Sequence, residues 1–185
     1  PSGEVKGGIY AIAWAEMLQS GIRLATSTDG GTTFGAPVVL TGLGAGNAGT
    51  PDVALTSAGT VVCVWHGVNA AVQQGFEIFC VTGPVGGTLG TPVRVSGART
   101  ALTTLARVAV SGTSCIHVAW DEGTQASSYP VATMASDAVY SRSTDGGTTF
   151  ASPTTLSTVG GVGQLFGVTS YPGAVVAASG ARVVV

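Results

Sequence analysis

Charge is scarce in this chain. Only 9% of its 185 residues are charged, whereas the share is about 25% in ordinary soluble domains. Lys6 is the single lysine, and the arginines are scattered. The sequence therefore has no basic stripe, which makes nucleic acid and anionic membrane surfaces poor partner candidates. No apolar run approaches the ~20 residues of a membrane-spanning helix.

The first residues, Pro1 to Glu4, do not resemble a signal peptide. If the protein is exported, we expect its leader to have been removed or to lie outside this sequence.

Cysteine and histidine are too few and too dispersed for a metal site. Cys63, Cys80 and Cys115 cannot all pair within one chain, and their spacing fits no zinc pattern. His66 and His117 fall in different predicted strands with opposite alternation, which gives no paired ligand. We expect no metal and no cofactor. For Cys63 and Cys80 we favour small buried hydrophobes, and a disulfide across neighbouring strands stays open.

Glycine and small apolar residues are plentiful instead. The chain is 45% hydrophobic and contains 29 glycines, with many Thr, Val and Ala residues and almost no helical periodicity. This composition indicates short strands joined by tight turns, and we predict an all-β fold. The length suits one ordinary domain or part of a larger repeat assembly.

One eight-residue string occurs twice. Ser-Thr-Asp-Gly-Gly-Thr-Thr-Phe occupies Ser27 to Phe34 and again Ser143 to Phe150. A weaker middle copy, Thr82 to Leu89, lacks the aspartate and is recognisable by position. Alignment of Phe34 with Leu89 and Phe150 gives offsets of 55 and 61 residues. A turn repeated at such a spacing predicts a repeated structural unit.

Three tryptophans run in step with these turns. Trp14, Trp65 and Trp120 each lie near the end of an alternating apolar run, and we predict that all three pack in the core. Four short strands are predicted for each of the last two complete units. In the second unit they are Asp52 to Thr56, Val61 to His66, Phe76 to Val81 and Pro92 to Ser96; in the third they are Arg107 to Ser111, Cys115 to Trp120, Ala138 to Ser143 and Thr154 to Ser157.

Four antiparallel strands at this spacing are typical of a β-propeller blade. We predict a single partial propeller over residues 1–185, with blade 1 at about 1–41, blade 2 at about 51–96, blade 3 at about 105–157 and half a blade at about 172–185. Such an unclosed array leaves apolar strand edges and faces open. We therefore expect self-association, or missing blades from a longer chain.

The repeated string resembles the Asp-box, or BNR repeat, of sialidase-like β-propellers, Ser-x-Asp-x-Gly-x-Thr-Trp/Phe. The aspartate can accept amides of its own turn, the glycines supply positive φ, and the phenylalanine fills space between strands. In the resembled family the boxes lie opposite the active site. The residues to which we give this structural role are Ser27, Asp29, Gly31, Phe34, Ser143, Asp145, Gly147 and Phe150.

The other end of the strands is the expected ligand face. Loops between second and third strands differ in length, as binding loops on a rigid scaffold often do. Asp52 and Arg107 begin the innermost strand of adjacent blades, and we expect both near the central channel. The full set of candidates is Glu16, Asp52, His66, Arg99, Arg107, Asp121, Glu122, Tyr129 and Tyr171.

A sialidase-type mechanism, as the resemblance implies, needs three arginines, a Tyr-Glu pair and an acid/base aspartate. The Arg-Ile-Pro string that normally carries the first arginine is absent. We therefore predict an extracellular or cell-surface module that binds glycan or protein, or serves as structure, without catalysis. The alternative is part of a sialidase-like glycoside hydrolase, with Arg107 and either Asp121 or Glu122 contributing and the other catalytic groups outside this segment.

Overall fold

The computed structural model describes residues 1–16, 21–40, 46–68, 76–97, 102–125, 133–157, 164–165, 176–179 and 182–185. Strands and turns make up these residues, with no helix among them. The described part of the chain accordingly offers no helical segment suited to crossing a membrane. The all-β prediction is confirmed.

Successive strands pair antiparallel with their neighbours in the chain. The first sheet contains β1 (Ser2–Lys6), β2 (Ile9–Glu16), β3 (Gly21–Ser27) and β4 (Val38–Leu40) in that order. The second repeats the order with β5 (Gly46–Leu55), β6 (Thr60–Val68), β7 (Phe76–Pro84) and β8 (Val93–Arg94).

The third sheet has the same pattern and one addition. It contains β9 (Leu102–Ser111), β10 (Cys115–Gln125), β11 (Thr133–Ser143) and β12 (Thr154–Thr155), with the short strand β13 (Gln164–Leu165) also pairing with β11. A fourth sheet consists of β14 (Ala177–Ser179) and β15 (Arg182–Val184). The predicted four-stranded antiparallel units are therefore present.

The strands extend further at one end than the sequence predicts. The predicted starts at Asp52 and Arg107 fall inside β5 and β9, which begin at Gly46 and Leu102. Register shifts interrupt both strands just before these residues. The alternating pattern that guided the prediction is broken by such a bulge, because an added residue reverses which face the next side chain takes.

Each sheet packs its tryptophan face on the sheet before it. Trp65 lies in a core shared with Ala11, Ala13 and Leu24 of the first sheet. Trp120 lies in a core shared with Val62 and Val64 of the second sheet, and both indoles are at most 1% exposed. The core prediction is confirmed for these two tryptophans.

Trp14 and Phe34 are less buried than their counterparts in the later sheets. Both belong to the first sheet, and the two described cores between sheets do not include the face that carries them. Trp14 is consequently half-buried and Phe34 is 42% exposed. Phe150, at the equivalent place in the third sheet, packs against the second core as predicted. Within the described residues Phe34 is exposed and not packed, so its predicted packing role stays a prediction.

The disulfide between Cys63 and Cys80 is also excluded. Cys63 pairs with Val81 and Cys80 with Val64, so the two cysteines are one residue out of register. Their side chains therefore point to opposite faces of the second sheet. Both are free and buried in different cores, as the favoured interpretation predicted.

The first strands of successive sheets contact one another. Strand β5 contacts β1 and β9, and β9 also contacts β14. We call these four first strands the inner strands. The arrangement of the sheets as blades of a propeller stays a prediction.

Candidate functional site

The sheets have two ends that differ in the connections they carry. We call the end with the hairpins joining β1–β2, β5–β6 and β9–β10 the turn end, and it also carries the turns after β3, β7 and β11. The opposite end, where β2, β6 and β10 finish, is the loop end. The repeated string lies at the turn end, whereas the candidate ligand residues were predicted for the loop end.

The Ser27–Phe34 turn closes on its own aspartate. The Ser27 hydroxyl donates to Asp29 Oδ1 at 2.7 Å and accepts the Gly31 amide at 3.0 Å. Thr33 donates its amide to Oδ1 at 2.9 Å and its hydroxyl to Oδ2 at 2.6 Å. Both glycines lie in the left-handed region, at φ of 74° and 83°, which other residues rarely adopt.

The Ser143–Phe150 turn repeats these bonds. Ser143 donates to Asp145 at 2.7 Å and accepts the Gly147 amide at 2.9 Å. Thr149 donates its amide to Asp145 at 3.0 Å and its hydroxyl at 2.6 Å. Both carboxylate oxygens of each aspartate are therefore occupied by the turn itself, which is the role expected from the sequence.

These bonds also set the protonation of the two carboxyls. Hydrogen bonds from the Thr33 side chain and amide, and then from Ser27, lower the pKa of Asp29 to about 2. Thr149 and Ser143 lower the pKa of Asp145 to about 2 in the same way. Both groups are ionised acceptors at neutral pH and are unsuited to donating a proton to a substrate.

Removal of these two carboxylates is expected to make the thermal stability of the fold depend less on pH in the acid range. Their pKa is about 2 in the folded chain and 3.8 ordinarily. Their stabilisation is therefore complete above the unfolded pKa and is lost as pH falls towards 2. The Asp29→Asn, Asp145→Asn double variant should have a lower thermal midpoint at pH 7 and a shallower decline from about pH 4 to 2. Circular dichroism melts across this range measure both, and parallel declines in variant and wild type would contradict the prediction.

The middle turn is shorter by one residue. Strand pairing places Gly83 opposite Val61, at the position of Ser27 opposite Tyr10. From that point Leu89 is six residues away, whereas Phe34 is seven residues beyond Ser27. The sequence alignment that began this copy at Thr82 is therefore wrong by one residue. No aspartate stands in this shorter turn.

All three turns are nevertheless anchored in the same way. The amides of Gly30, Val85 and Gly146 donate to the carbonyls of Gly8, Gly59 and Ser114, each at 3.0 Å. Each bond joins the turn after the third strand to the first hairpin of its own sheet. This backbone hydrogen bond is therefore present even in the turn that lacks the aspartate, which indicates a structural role for the turn end.

The loop end contains two strained backbone positions. Thr50 has φ of 41° and Leu105 has φ of 54°, although neither is glycine. Each lies two residues before a candidate residue, Asp52 or Arg107, beside the register shift of its strand. The two inner strands therefore bend at equivalent places as they approach the loop end.

Asp52 connects three inner strands. Its Oδ1 accepts the Ser2 hydroxyl of β1 at 2.5 Å, and its Oδ2 accepts the Val108 amide of β9 at 2.9 Å. Ser2, Asp52 and Arg107 hold equivalent positions, since they pair with Ala13, Val64 and Ala119. The predicted ligand residue Asp52 is thus a bridge between sheets.

His66 is packed into the bend of β5. Its Nδ1 lies 2.7 Å from Thr50 Oγ1, and its ring meets the Phe76 ring edge-on at 5.1 Å. A Cβ added to Gly49 would come within 2.8 Å of Nε2, so a side chain there would displace the ring. Burial lowers the pKa of His66 to about 4, and the imidazole is neutral at pH 7.

We expect His66 to make the fold less stable in mild acid. Because its pKa falls from 6.5 to about 4 on folding, the unfolded chain binds the proton more readily. Stability is therefore full above pH 6.5 and decreases as pH falls towards 4. His66→Gln should remove about 2 kcal/mol of this decrease. Urea unfolding at pH 7 and pH 4.5 measures it; an unchanged difference between the two pH values in the variant would count against the prediction.

The remaining described candidates do not converge on one point. Glu16 forms a partly exposed ion pair with Arg23, with 2.5 Å between Oε2 and Nε. Arg107 donates to the Ala106 carbonyl at 3.0 Å. Regular pairing of β10 places Asp121 on the same face of the third sheet as Arg107, and Glu122 on the opposite face. Arg99, Tyr129 and Tyr171 lie outside the described residues.

His117 is not one of the predicted ligand residues, and its ring has two side-chain partners. Its Nε2 lies 3.0 Å from Ser111 Oγ, and its Nδ1 lies 2.8 Å from the Tyr140 hydroxyl. The two rings are stacked with centroids 6.1 Å apart. Burial, followed by the nearby Arg142 charge, lowers the pKa of His117. Among the described residues, no cluster of three or more acidic, histidine or cysteine side chains suits a metal ion.

Sequence reasoning missed Glu77. This glutamate is 1% exposed, with its Oε2 2.9 Å from Arg94 Nε. Neither of its oxygens accepts a well-oriented hydrogen bond from the described residues. Its one sequence signal is an acid between Phe76 and Ile78 inside an apolar strand. A buried carboxylate held mainly by one arginine is costly to the fold.

No protein-family model matches the chain, and no curated protein matches it. Among solved structures, it is similar to a protein of unknown function from Dyadobacter fermentans DSM 18053, with a TM-score of 0.60 and 14% sequence identity. The similarity covers 96% of this chain and 52% of that protein, so this chain spans about half its length. At this identity the likeness extends to the fold alone.

Proposed function

We propose that this chain is a segment of an Asp-box β-propeller that serves as a non-catalytic glycan- or protein-binding or structural module. The observation that carries the proposal is the bonding of Asp52, whose two oxygens join neighbouring sheets. A carboxylate used in this way is not available to substrate. The sequence resemblance of the repeated turns supports the propeller and an extracellular or cell-surface location.

The turn networks support the same assignment. Asp29 and Asp145 use both oxygens within their own turns. Glu16 is engaged by Arg23. Together with Asp52, four of the acidic side chains in the described residues therefore bond to partners within the chain. Ligand contacts on such a scaffold normally come from the connecting segments.

The rival function, a sialidase-like hydrolase, has one observation in its favour. Arg107 and Asp121 share a face of the third sheet at the loop end. Such a pair is an element of carboxylate recognition and acid catalysis, but a glycosidase also requires a second carboxyl group across the scissile bond. Glu122 points to the other face and does not provide it from this chain.

Hydrolysis of fluorogenic sialosides and aryl glycosides tests the proposal. We expect no turnover by the 185-residue chain above that of the Asp121→Asn and Glu122→Gln variants. Turnover by the wild type that either substitution abolishes would establish the hydrolase instead. A glycan array and a protein-surface screen with the same wild-type sample then distinguish a binding module from a purely structural one.

A further inference from the structure

A pocket opens between the first and second sheets at the turn end. We call it the turn-end pocket and define it by six apolar side chains, Leu24, Ala36, Val38, Val61, Pro84 and Leu89. Leu24 and Val61 are buried in the core between these two sheets. Ala36, Val38 and Pro84 are exposed, so the pocket leads from that core to solvent. Its cavity volume is about 150 Å³.

Phe150 occupies the corresponding position between the second and third sheets. Leu89 and Phe150 are equivalent, because the amide of the residue after each donates at 2.8 Å to a carbonyl of the third strand in its own sheet. Phe150 packs against the core between the second and third sheets, and Leu89 packs against the core between the first and second. A leucine therefore stands where the next interface has a larger aromatic ring.

The turn of the third sheet packs more tightly on its neighbour than the middle turn does. A Cβ added to Gly147 would lie 2.8 Å from Thr82 Cγ2 in the second sheet. A Cβ added to Gly86 would have no neighbour within 4 Å, and the nearest atoms to one on Gly87 belong to Pro84 of the same turn. Space therefore remains in this interface where the next one is closed.

The glycine amides that line the pocket are already paired. Gly35 donates to the Thr26 carbonyl at 2.9 Å, and Gly86 donates to the Thr26 hydroxyl oxygen at 3.2 Å. Gly87 donates to the Pro84 carbonyl at 3.0 Å. No charged side chain is among the described residues that line the pocket. A ligand there is therefore held mainly by apolar contacts, and apolar cavities of about this volume bind benzene.

We propose that the turn-end pocket binds a small neutral aromatic molecule, of which benzene is the simplest. The choice of ligand follows from Phe150, because its phenyl ring is the group that the fold itself places at the corresponding position. The volume and the aliphatic lining suit the same group. The pocket lies at the turn end, so this proposal does not depend on the ligand contacts proposed for the loop end.

Titration of the isotope-labelled 185-residue chain with benzene, followed by NMR of the backbone amides, tests the site. We expect saturable shift changes at Val38, Val61 and Leu89, with a dissociation constant of about 1 mM. Leu89→Phe introduces the residue type that the third sheet has at this position and fills the pocket from inside. Its affinity for benzene should be at least about tenfold weaker than that of the wild type.

Two further variants distinguish the pocket from general effects of added aromatic rings. Val38→Phe fills the pocket from the solvent side, where Val38 is 45% exposed, and should weaken binding equally with unchanged far-UV circular dichroism. Leu156→Phe is the matched control, because that leucine is 48% exposed and lies outside the pocket; its affinity should equal that of the wild type. Absence of saturable shifts in the wild type overturns the proposal. Wild-type affinity in folded Val38→Phe, or loss of binding in Leu156→Phe, overturns it as well.

Discussion

Trp65→Ala is expected to lower the free energy of unfolding by about 4 kcal/mol, because truncating a fully buried tryptophan removes its apolar contacts and leaves a cavity. Trp65 is 1% exposed and packs between the first and second sheets. Trp14→Ala is the matched control at the equivalent position. It should cost less, about 2 kcal/mol, since that indole is only partly buried. Urea unfolding followed by far-UV circular dichroism measures both.

The contrast between these variants matters more than either value. Equal costs for Trp65→Ala and Trp14→Ala would contradict the packing of Trp65 between the first and second sheets.

Trp120→Phe tests whether the indole N–H of a buried tryptophan contributes to stability. Trp120 Nε1 has no hydrogen-bond acceptor among the described residues, so Trp120→Phe should lose packing alone and cost less than about 2 kcal/mol.

Asp52→Ala is the second large effect that we expect. The substitution removes the acceptors of the Ser2 hydroxyl and the Val108 amide, which leaves donors in two neighbouring strands without their partner. Bonds to a charged group contribute about 1.5–3 kcal/mol each, and we expect a total cost of about 3 kcal/mol. Equilibrium urea unfolding at pH 7 measures the change.

Asp52→Asn is the control for shape and charge. Its amide oxygen can still accept the Val108 amide, and its NH2 group can donate to the Ser2 hydroxyl once that hydroxyl rotates. The asparagine variant should therefore cost less than about 1 kcal/mol. If alanine and asparagine are equally harmless, Asp52 does not hold the inner strands. If both are equally damaging, the negative charge matters and the hydrogen bonds do not.

Local features were predictable from the sequence because their causes are local. The side-chain hydrogen bonds of Asp29 and Asp145 are all made within their own turns. The strands likewise follow alternation within a few residues. The same reasoning explains why the bends at Thr50 and Leu105 were missed, since a bulge changes the alternation on which strand prediction relies.

Features that depend on neighbouring sheets were not predictable. Phe34 and Phe150 occupy identical strings, yet one is exposed and the other is packed, because only the later turn follows a preceding sheet. Asp52 appeared on the list of ligand residues because it is an acid near the start of an inner strand. Its real partners lie 50 and 56 residues away in sequence, and no local pattern identifies them.

The candidate site is consequently narrower than the sequence indicated. Asp52 and Glu16 are committed to protein partners, and His66 is neutral and packed against Thr50 and Phe76. Arg107 and Asp121 remain as charged candidates on one face of the third sheet. Glu77, which no motif marked, is the most deeply buried acid that the structure describes.

The central claim is that Asp52, an acidic residue predicted for ligand binding, instead joins one sheet to the next. Amide hydrogen exchange at Val108, followed by NMR, tests it most directly, because this N–H donates to Asp52 at 2.9 Å. We predict slow exchange at Val108 in the wild type and in Asp52→Asn, and exchange at least about tenfold faster in Asp52→Ala. Equal protection of Val108 in wild type and Asp52→Ala would contradict the claim.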